Sequence, residues 1–136
     1  MGLTEGDLLD NRYRVIGPLG EGGMGAAYLV EDQRLGRSCV AKAAILRDKA
    51  HHEQFEIEAK MLAELNHRGL PEVHDFFFQS DQPYLIMQFI EGSTLDQRKE
   101  GRSAPFEVDQ VLRWANDLLD ALAYLHGQNP PIVHRD

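Results

Sequence analysis

Polar and apolar side chains alternate through Arg12-Tyr13-Arg14-Val15-Ile16, as in a strand with one buried face, and a glycine-rich stretch runs on from Gly17 to Gly25. Ala26 to Val30 reads as the returning strand. The polar turn Glu31 to Gly36 then leads into a third strand over Ser38 to Ala44. At about Glu53 the period changes. Phe55, Ala59, Leu62 and Leu65 fall three or four apart, with Glu56, Lys60 and Glu64 elsewhere on the surface, which predicts a helix to Leu65 with one packed stripe. Two more strands, Val73 to Gln79 and Tyr84 to Phe89, flank Ser80-Asp81-Gln82-Pro83, a turn by composition. The order strand, strand, strand, helix, strand, strand predicts an α+β fold in which a five-stranded, mainly antiparallel sheet carries one helix.

Beyond Gly92 the pattern is helical. Val111, Leu112, Ala115, Leu118, Leu119, Leu122 and Leu125 keep helical spacing over 108–125, and Trp114, Ala121 and Tyr124 widen the apolar surface past one stripe. Such a helix expects protein around most of its circumference. Full burial of its six large aliphatic side chains would contribute on the order of 10 kcal/mol, comparable to the stability of a small domain. The helix is therefore expected to pair with another copy, to swap, or to be poorly ordered. Gly127 to Pro131 ends it, and Ile132-Val133-His134-Arg135-Asp136 closes the chain.

Charge narrows the function classes. With 22 acidic against 14 basic residues, a net charge of -8 argues against nucleic acid or an anionic membrane as partner. No apolar run reaches the ~20 residues of a membrane-spanning helix, the start lacks a signal-peptide core, and Gly6 stands where a myristoylation signal wants Ser or Thr. A cytoplasmic setting is expected. The single Cys39 reads as a small buried hydrophobe. His51-His52-Glu53 reads as a solvated loop with no metal expected, Phe76-Phe77-Phe78 as core strand, and Asp96 to Arg102 as a solvated charged surface.

Gly20-Glu21-Gly22-Gly23-Met24-Gly25 has the spacing G-x-G-x-x-G, which lets backbone amides approach phosphate oxygens. The dinucleotide-binding version requires a helix straight after the glycines, whereas a strand is predicted here. A glycine hairpin between two strands instead makes a cover over phosphates. Lys42 in the apolar third strand needs either solvent or a negative charge, and Glu58 on the helix can supply one. Such a pair would aim the ammonium at the phosphates of a nucleotide.

Taken together, Leu8 to Gly25, Val40-Ala41-Lys42, Glu58 in its helix, Asn66-His67, Pro83 to Gly92, Leu125-His126 and Ile132 to Asp136 resemble the bacterial serine/threonine protein kinases of eukaryotic type. The resemblance covers the whole chain and implies a kinase N-lobe with hinge and the first helices of an incomplete C-lobe. It divides the chain into an N-terminal extension (1–11), N-lobe and hinge (12–92) and the start of the C-lobe (93–136). It implies ATP and magnesium as cofactors and a protein substrate. Gly20 to Gly25 would cover the phosphates. Leu19, Ala27 and Val40 would roof adenine, Met87 would stand at the back of its pocket, and the backbones of Gln88 and Ile90 would meet its edge. Lys42 and Glu58 would be catalytic as a pair, and Asp136 would be the base facing the substrate hydroxyl.

The sequence departs from that pattern in two respects. The motif has valine two residues after the third glycine and alanine two before the lysine, where this chain has Ala27 and Val40; the two changes are expected to compensate in apolar volume. The asparagine and the D-F-G aspartate that hold magnesium in these kinases are not among the 136 residues. This chain alone is accordingly expected to bind ATP weakly if at all and to transfer no phosphate. The competing expectation is a naturally short kinase-like module for binding or dimerisation through helix 108–125.

Overall fold

The computed structural model describes residues 2–22, 25–44 and 50–133. Two compact units divide the chain: residues 1–65 with 71–89, and residues 66–70 with everything from Ile90 onward.

The first unit is a six-stranded antiparallel sheet. Its strands are β1 (Leu8–Leu9), β2 (Tyr13–Gly22), β3 (Gly25–Asp32), β4 (Arg37–Ala44), β5 (Val73–Gln79) and β6 (Gln82–Gln88), in the order β1-β2-β3-β4-β6-β5. Helix α1 (Ala50–Ala63) lies between β4 and β5 in the chain. Five strands and the helix match the sequence expectation; β1 is added by two residues of the segment read as an extension. Leu9 is fully buried, so that segment belongs to the core.

Outermost in the order, β1 and β5 are nevertheless joined by side chains. Gln79 Oε1 accepts from the Asp10 N–H (2.9 Å), Gln79 Nε2 donates to Leu8 O (3.4 Å), and Tyr13 OH donates to Asp75 (2.8 Å). The sheet must therefore curl until its first and last strands meet. Two irregularities in the β2–β3 register, between Val15 and Gly17 and between Pro18 and Gly20, help the bend. They leave Ile16 and Leu19 without cross-strand partners, and both are exposed.

Strand alternation gives the sheet two unlike faces. On the first face Tyr13, Val15, Tyr28, Val30, Cys39, Ala41, Tyr84 and Ile86 join Leu9 in the core, and Phe77 stacks between Tyr13 and Tyr84 at 5.9 and 5.6 Å. The second face carries α1. Phe55 meets Phe76 and Phe78 edge-on at 6.4 and 5.6 Å, His52 stacks on Phe78 at 4.7 Å, and Ala59 is buried. The triple phenylalanine is core strand, as expected, and it serves both faces. His52 corrects the loop reading, because α1 begins three residues before Glu53 and turns this ring onto the sheet.

A buried carboxylate closes the β3–β4 turn. Asp32 takes a bidentate grip from Arg12 (Nε 3.0 Å, Nη2 2.7 Å) and accepts the N–H groups of Arg34 (3.0 Å) and Leu35 (3.3 Å).

In the second unit α2 (Leu95–Lys99) and α3 (Val108–His126) follow one another. The sequence reading missed α2, although Thr94 and Gln97 form a reciprocal capping box at its start. Residues 66–70 dock on α3: Asn66 N–H donates to Tyr124 OH (2.9 Å), His67 packs on the Tyr124 ring (4.9 Å), and Arg68 reaches Asp117 (3.2 Å). His67 Nδ1 accepts from the Gly69 N–H (3.0 Å), which leaves Nε2 to donate to Asp120 (3.2 Å). Ala121 and Leu125 are buried, whereas Val111, Leu112, Leu118 and Leu119 stand exposed. The apolar face of α3 is thus uncovered within its own unit.

Candidate functional site

Pairing registers assemble the candidate residues of the first unit. Gly20 opposes Ala27, Ala27 opposes Lys42, and Lys42 opposes Leu85. Two residues along, Leu29 opposes Val40 and Val40 opposes Met87. All of these β3, β4 and β6 residues lie on the second face. Leu85 is buried, Ala27, Val40 and Met87 are half-buried, and Lys42 is exposed. An ammonium therefore rises from an apolar sheet surface that is otherwise only partly covered.

The glycines join β2 to β3 as antiparallel neighbours up to the pair Gly22–Gly25, and no helix follows them. Two of them differ in what they serve. Gly25 has φ +132°, and a Cβ there would lie 2.0 Å from the Ala43 carbonyl oxygen, so the fold itself demands glycine. Around Gly20 a Cβ would meet nothing within 4 Å. The protein has no packing reason to keep Gly20 bare, and the bare backbone suits a phosphate-bearing ligand that must come close. Gly23 and Met24 lie outside the described residues, as does Asp136.

Lys42 and Glu58 share one side of the sheet. Phe76 pairs with Leu85 and so shares the face of Lys42, and Phe55, one helical turn from Glu58, packs on Phe76. Both charged groups are exposed, and no ion pair links them within 4 Å. The Glu58 carboxylate instead accepts from Gln54 Nε2 at 3.1 Å. Proximity of face is present while the closed pair is not. No described carboxylate lies within 4 Å of the Lys42 ammonium.

The remaining candidates are distributed more widely. Leu19 stands at a β2 irregularity, about half exposed. Glu21 opposes Ala26, and with Tyr28, Gln82 and Tyr84 it borders a cleft of about 510 Å³. That cleft lies on the first face, so Glu21 points away from Lys42. The Gln88 backbone N–H already donates to Glu72 O (2.8 Å), and its side-chain oxygen accepts from the Glu72 N–H (3.3 Å). Glu72 was not singled out from the sequence, and nothing in the local pattern marks it. Ile90 belongs to the second unit and is exposed.

For magnesium, among the described residues no three His, Cys, Asp or Glu side chains gather around a point. Cys39 is buried as expected, with its Sγ 3.8 Å from His74 Nδ1, and burial pushes its thiol pKa up. No helix among the described residues is long and apolar enough to cross a membrane.

Comparison with known proteins agrees with this geometry. The family described as protein kinase domain matches residues 13–136. Serine/threonine-protein kinase pkn2 of Myxococcus xanthus is 36% identical over 135 residues, which cover 95% of this chain and 15% of that protein. The probable serine/threonine-protein kinase YbdM of Bacillus subtilis is 33% identical over 138 residues, 98% of this chain and 53% of that one. Among solved structures, the PknI kinase domain of Mycobacterium tuberculosis superposes with a TM-score of 0.81 at 27% identity, covering 99% of this chain and 55% of that one. The chain thus spans about half of a relative's kinase domain and a smaller part of several whole relatives.

Proposed function

The chain belongs to the protein kinase domain family, and from that membership we infer that it is the ATP-binding part of a serine/threonine protein kinase, a cytoplasmic phosphotransferase acting on protein hydroxyls. One observation carries this reading. The registers bring Gly20, Ala27 and Lys42 into a single row beside a glycine hairpin, on the face that also holds the helix of Glu58.

Triphosphate would lie along that row, with hairpin amides and the Lys42 ammonium against its oxygens, so that the chain's task is positioning and charge neutralisation. Adenine would rest on Ala27, Val40 and Leu19 with Met87 beside it. For Glu58 to pair with Lys42, its carboxylate has to come within 4 Å of the ammonium, whereas here one of its oxygens accepts from Gln54. Asp136 would orient the substrate hydroxyl.

A second reading, a non-catalytic binding or dimerisation module, draws support from the uncovered aliphatic face of α3. Nucleotide binding separates the two. An ATP titration followed by amide resonances should move β2, β3 and β4 at millimolar nucleotide, and Lys42→Met should weaken that binding at least about tenfold, the loss of one charge-assisted contact. Unmoved resonances, or an indifferent Lys42→Met variant, would sink the kinase reading.

A further inference from the structure

The first face of the sheet, turned away from Lys42, holds the cleft of about 510 Å³ that Glu21 borders. Small-molecule sites usually measure about 300–1,000 Å³. Glu21, Ala26 and Tyr28 of β2 and β3 line it together with Ser80, Gln82 and Tyr84 of the β5–β6 hairpin. The N-terminal segment supplies a further wall. There Leu3 N–H donates to Tyr28 OH (3.2 Å), and a Cβ at Gly2 would stand 3.3 Å from the same oxygen.

Several acceptors of this cleft are not used by the protein. Tyr84 is 6% exposed, and its hydroxyl has no hydrogen-bond partner among the described residues, yet among them no buried side-chain nitrogen or oxygen is left unpaired. The hydroxyl therefore reaches open space, and the cleft is the space that Tyr84 borders. Phe77 stacks on the Tyr84 ring at 5.6 Å and holds it in place. Gln82 Nε2 donates to Ala44 O (2.6 Å) and Pro83 O (3.3 Å), which fixes the amide and leaves Oε1 with no described donor. Glu21 adds a carboxylate at an exposed position. No Lys or Arg stands among the described lining residues, so an anion would find no charge to pair with, whereas a donor-rich cation finds both charge and acceptors.

We propose that this cleft is a binding site for a small organic cation, an amine whose ammonium pairs with Glu21 and whose far end carries a hydroxyl or second amino group that meets Tyr84 and Gln82. Its carbon skeleton would rest on Leu3, Ala26 and Tyr28. The site lies on the opposite face from Lys42 and does not depend on the nucleotide reading.

Tyramine is a suitable probe, titrated to millimolar concentration into the full chain and followed by amide resonances. It should give saturable shifts at Glu21, Ala26, Tyr28 and Tyr84. Tyrosol, which replaces the ammonium by a neutral hydroxyl, should bind about threefold more weakly, the worth of one exposed ion pair, and the anion 3-(4-hydroxyphenyl)propionate more weakly still. Glu21→Gln should abolish the advantage of tyramine over tyrosol. Tyr84→Phe should weaken tyramine about fivefold, the loss of one hydrogen bond, without moving the urea midpoint, since the removed oxygen has no described partner in the protein. Equal affinity for tyramine and the propionate, tyramine binding indifferent to both substitutions, shifts that never saturate, or a lowered urea midpoint for Tyr84→Phe would each overturn the proposal.

Discussion

Replacing Asp32 by Asn removes one charge from the most enclosed ion pair of the sheet unit and keeps the shape. The Arg12 side chain gives this carboxylate two short hydrogen bonds, and they hold its pKa at about 2 against an ordinary 3.8; burial opposes them, and the Arg34 and Leu35 N–H groups assist. Depression of that size corresponds to about 2 kcal/mol at neutral pH. A second route gives a similar figure. Asparagine can still accept the two turn N–H groups through its oxygen, so the loss is confined to the contact with Arg12, about 1.5–3 kcal/mol for hydrogen bonds to a charged group. Arg12 is not stranded, because Asp75 stands 3.5 Å from its other Nη, which argues against the larger cost of an orphaned buried charge. Asp32→Asn should therefore unfold about 2 kcal/mol more easily in urea at pH 7. The sign with pH follows from a depressed carboxylate: its contribution is complete above 3.8 and disappears as pH falls toward about 2. Wild type and variant should converge over that interval. Amide exchange at Val30 and Cys39 reports on the correct unit, since Trp114 lies in the other one. A gap below about 0.5 kcal/mol at pH 7, the noise of an ordinary surface change, or a gap undiminished at pH 2, would refute the reasoning.

Two further outcomes are expected. Gly25→Ala should lower the melting temperature sharply, because both its φ of +132° and the Ala43 carbonyl at 2.0 Å oppose a side chain, whereas Gly20→Ala should leave melting within about 0.5 kcal/mol of wild type and weaken ATP binding instead; equal effects on melting would contradict the separation. Leu118→Gln with Leu119→Gln, at side chains 59% and 62% exposed, should raise the concentration at which the chain self-associates in sedimentation velocity while leaving its helix content unchanged. A wild-type chain that stays monomeric throughout would dispose of that expectation.

The order of strands and the main helices were legible because period and punctuation agreed in each segment. Val73 to Gln79 keeps its predicted limits, and α3 extends only one residue past Leu125. What could not be read depends on pairings that the local pattern does not encode. Leu8 and Leu9 look like any short apolar pair, and they become a strand by pairing with Arg14 and Tyr13, while Gln79, some seventy residues on, binds Leu8 O and the Asp10 N–H. His52 looks like a loop residue until Phe78 provides a ring to stack on. Glu21 belongs to the glycine motif by spacing, yet pairing with Ala26 turns it to the far face. The capping box at Thr94 and Gln97 is the exception: it was local and simply overlooked. The Lys42–Glu58 idea shows the limit of pattern reading most clearly. Spacing and packing put both on one side of the sheet, but whether two exposed flexible side chains meet is decided by fractions of a kcal/mol, which no periodicity encodes.

Alternation within β3 and β4 also separates stability from chemistry at a resolution of one residue. Tyr28 and Ala41 are buried on the closed face, while their neighbours Ala27 and Lys42 stand on the open one, and Gly20 joins that open row. Core packing fixes the backbone of these strands through the first set, so the second set is positioned without having to contribute much burial of its own. Changes at Ala27, Val40 or Lys42 are then cheap for folding, in contrast to Tyr28 or Ala41, where a cavity or an overpacked core costs several kcal/mol. A face held in place by its opposite side can vary its side chains without risking the fold. That freedom is the physical condition under which a swap such as Ala27 with Val40 persists.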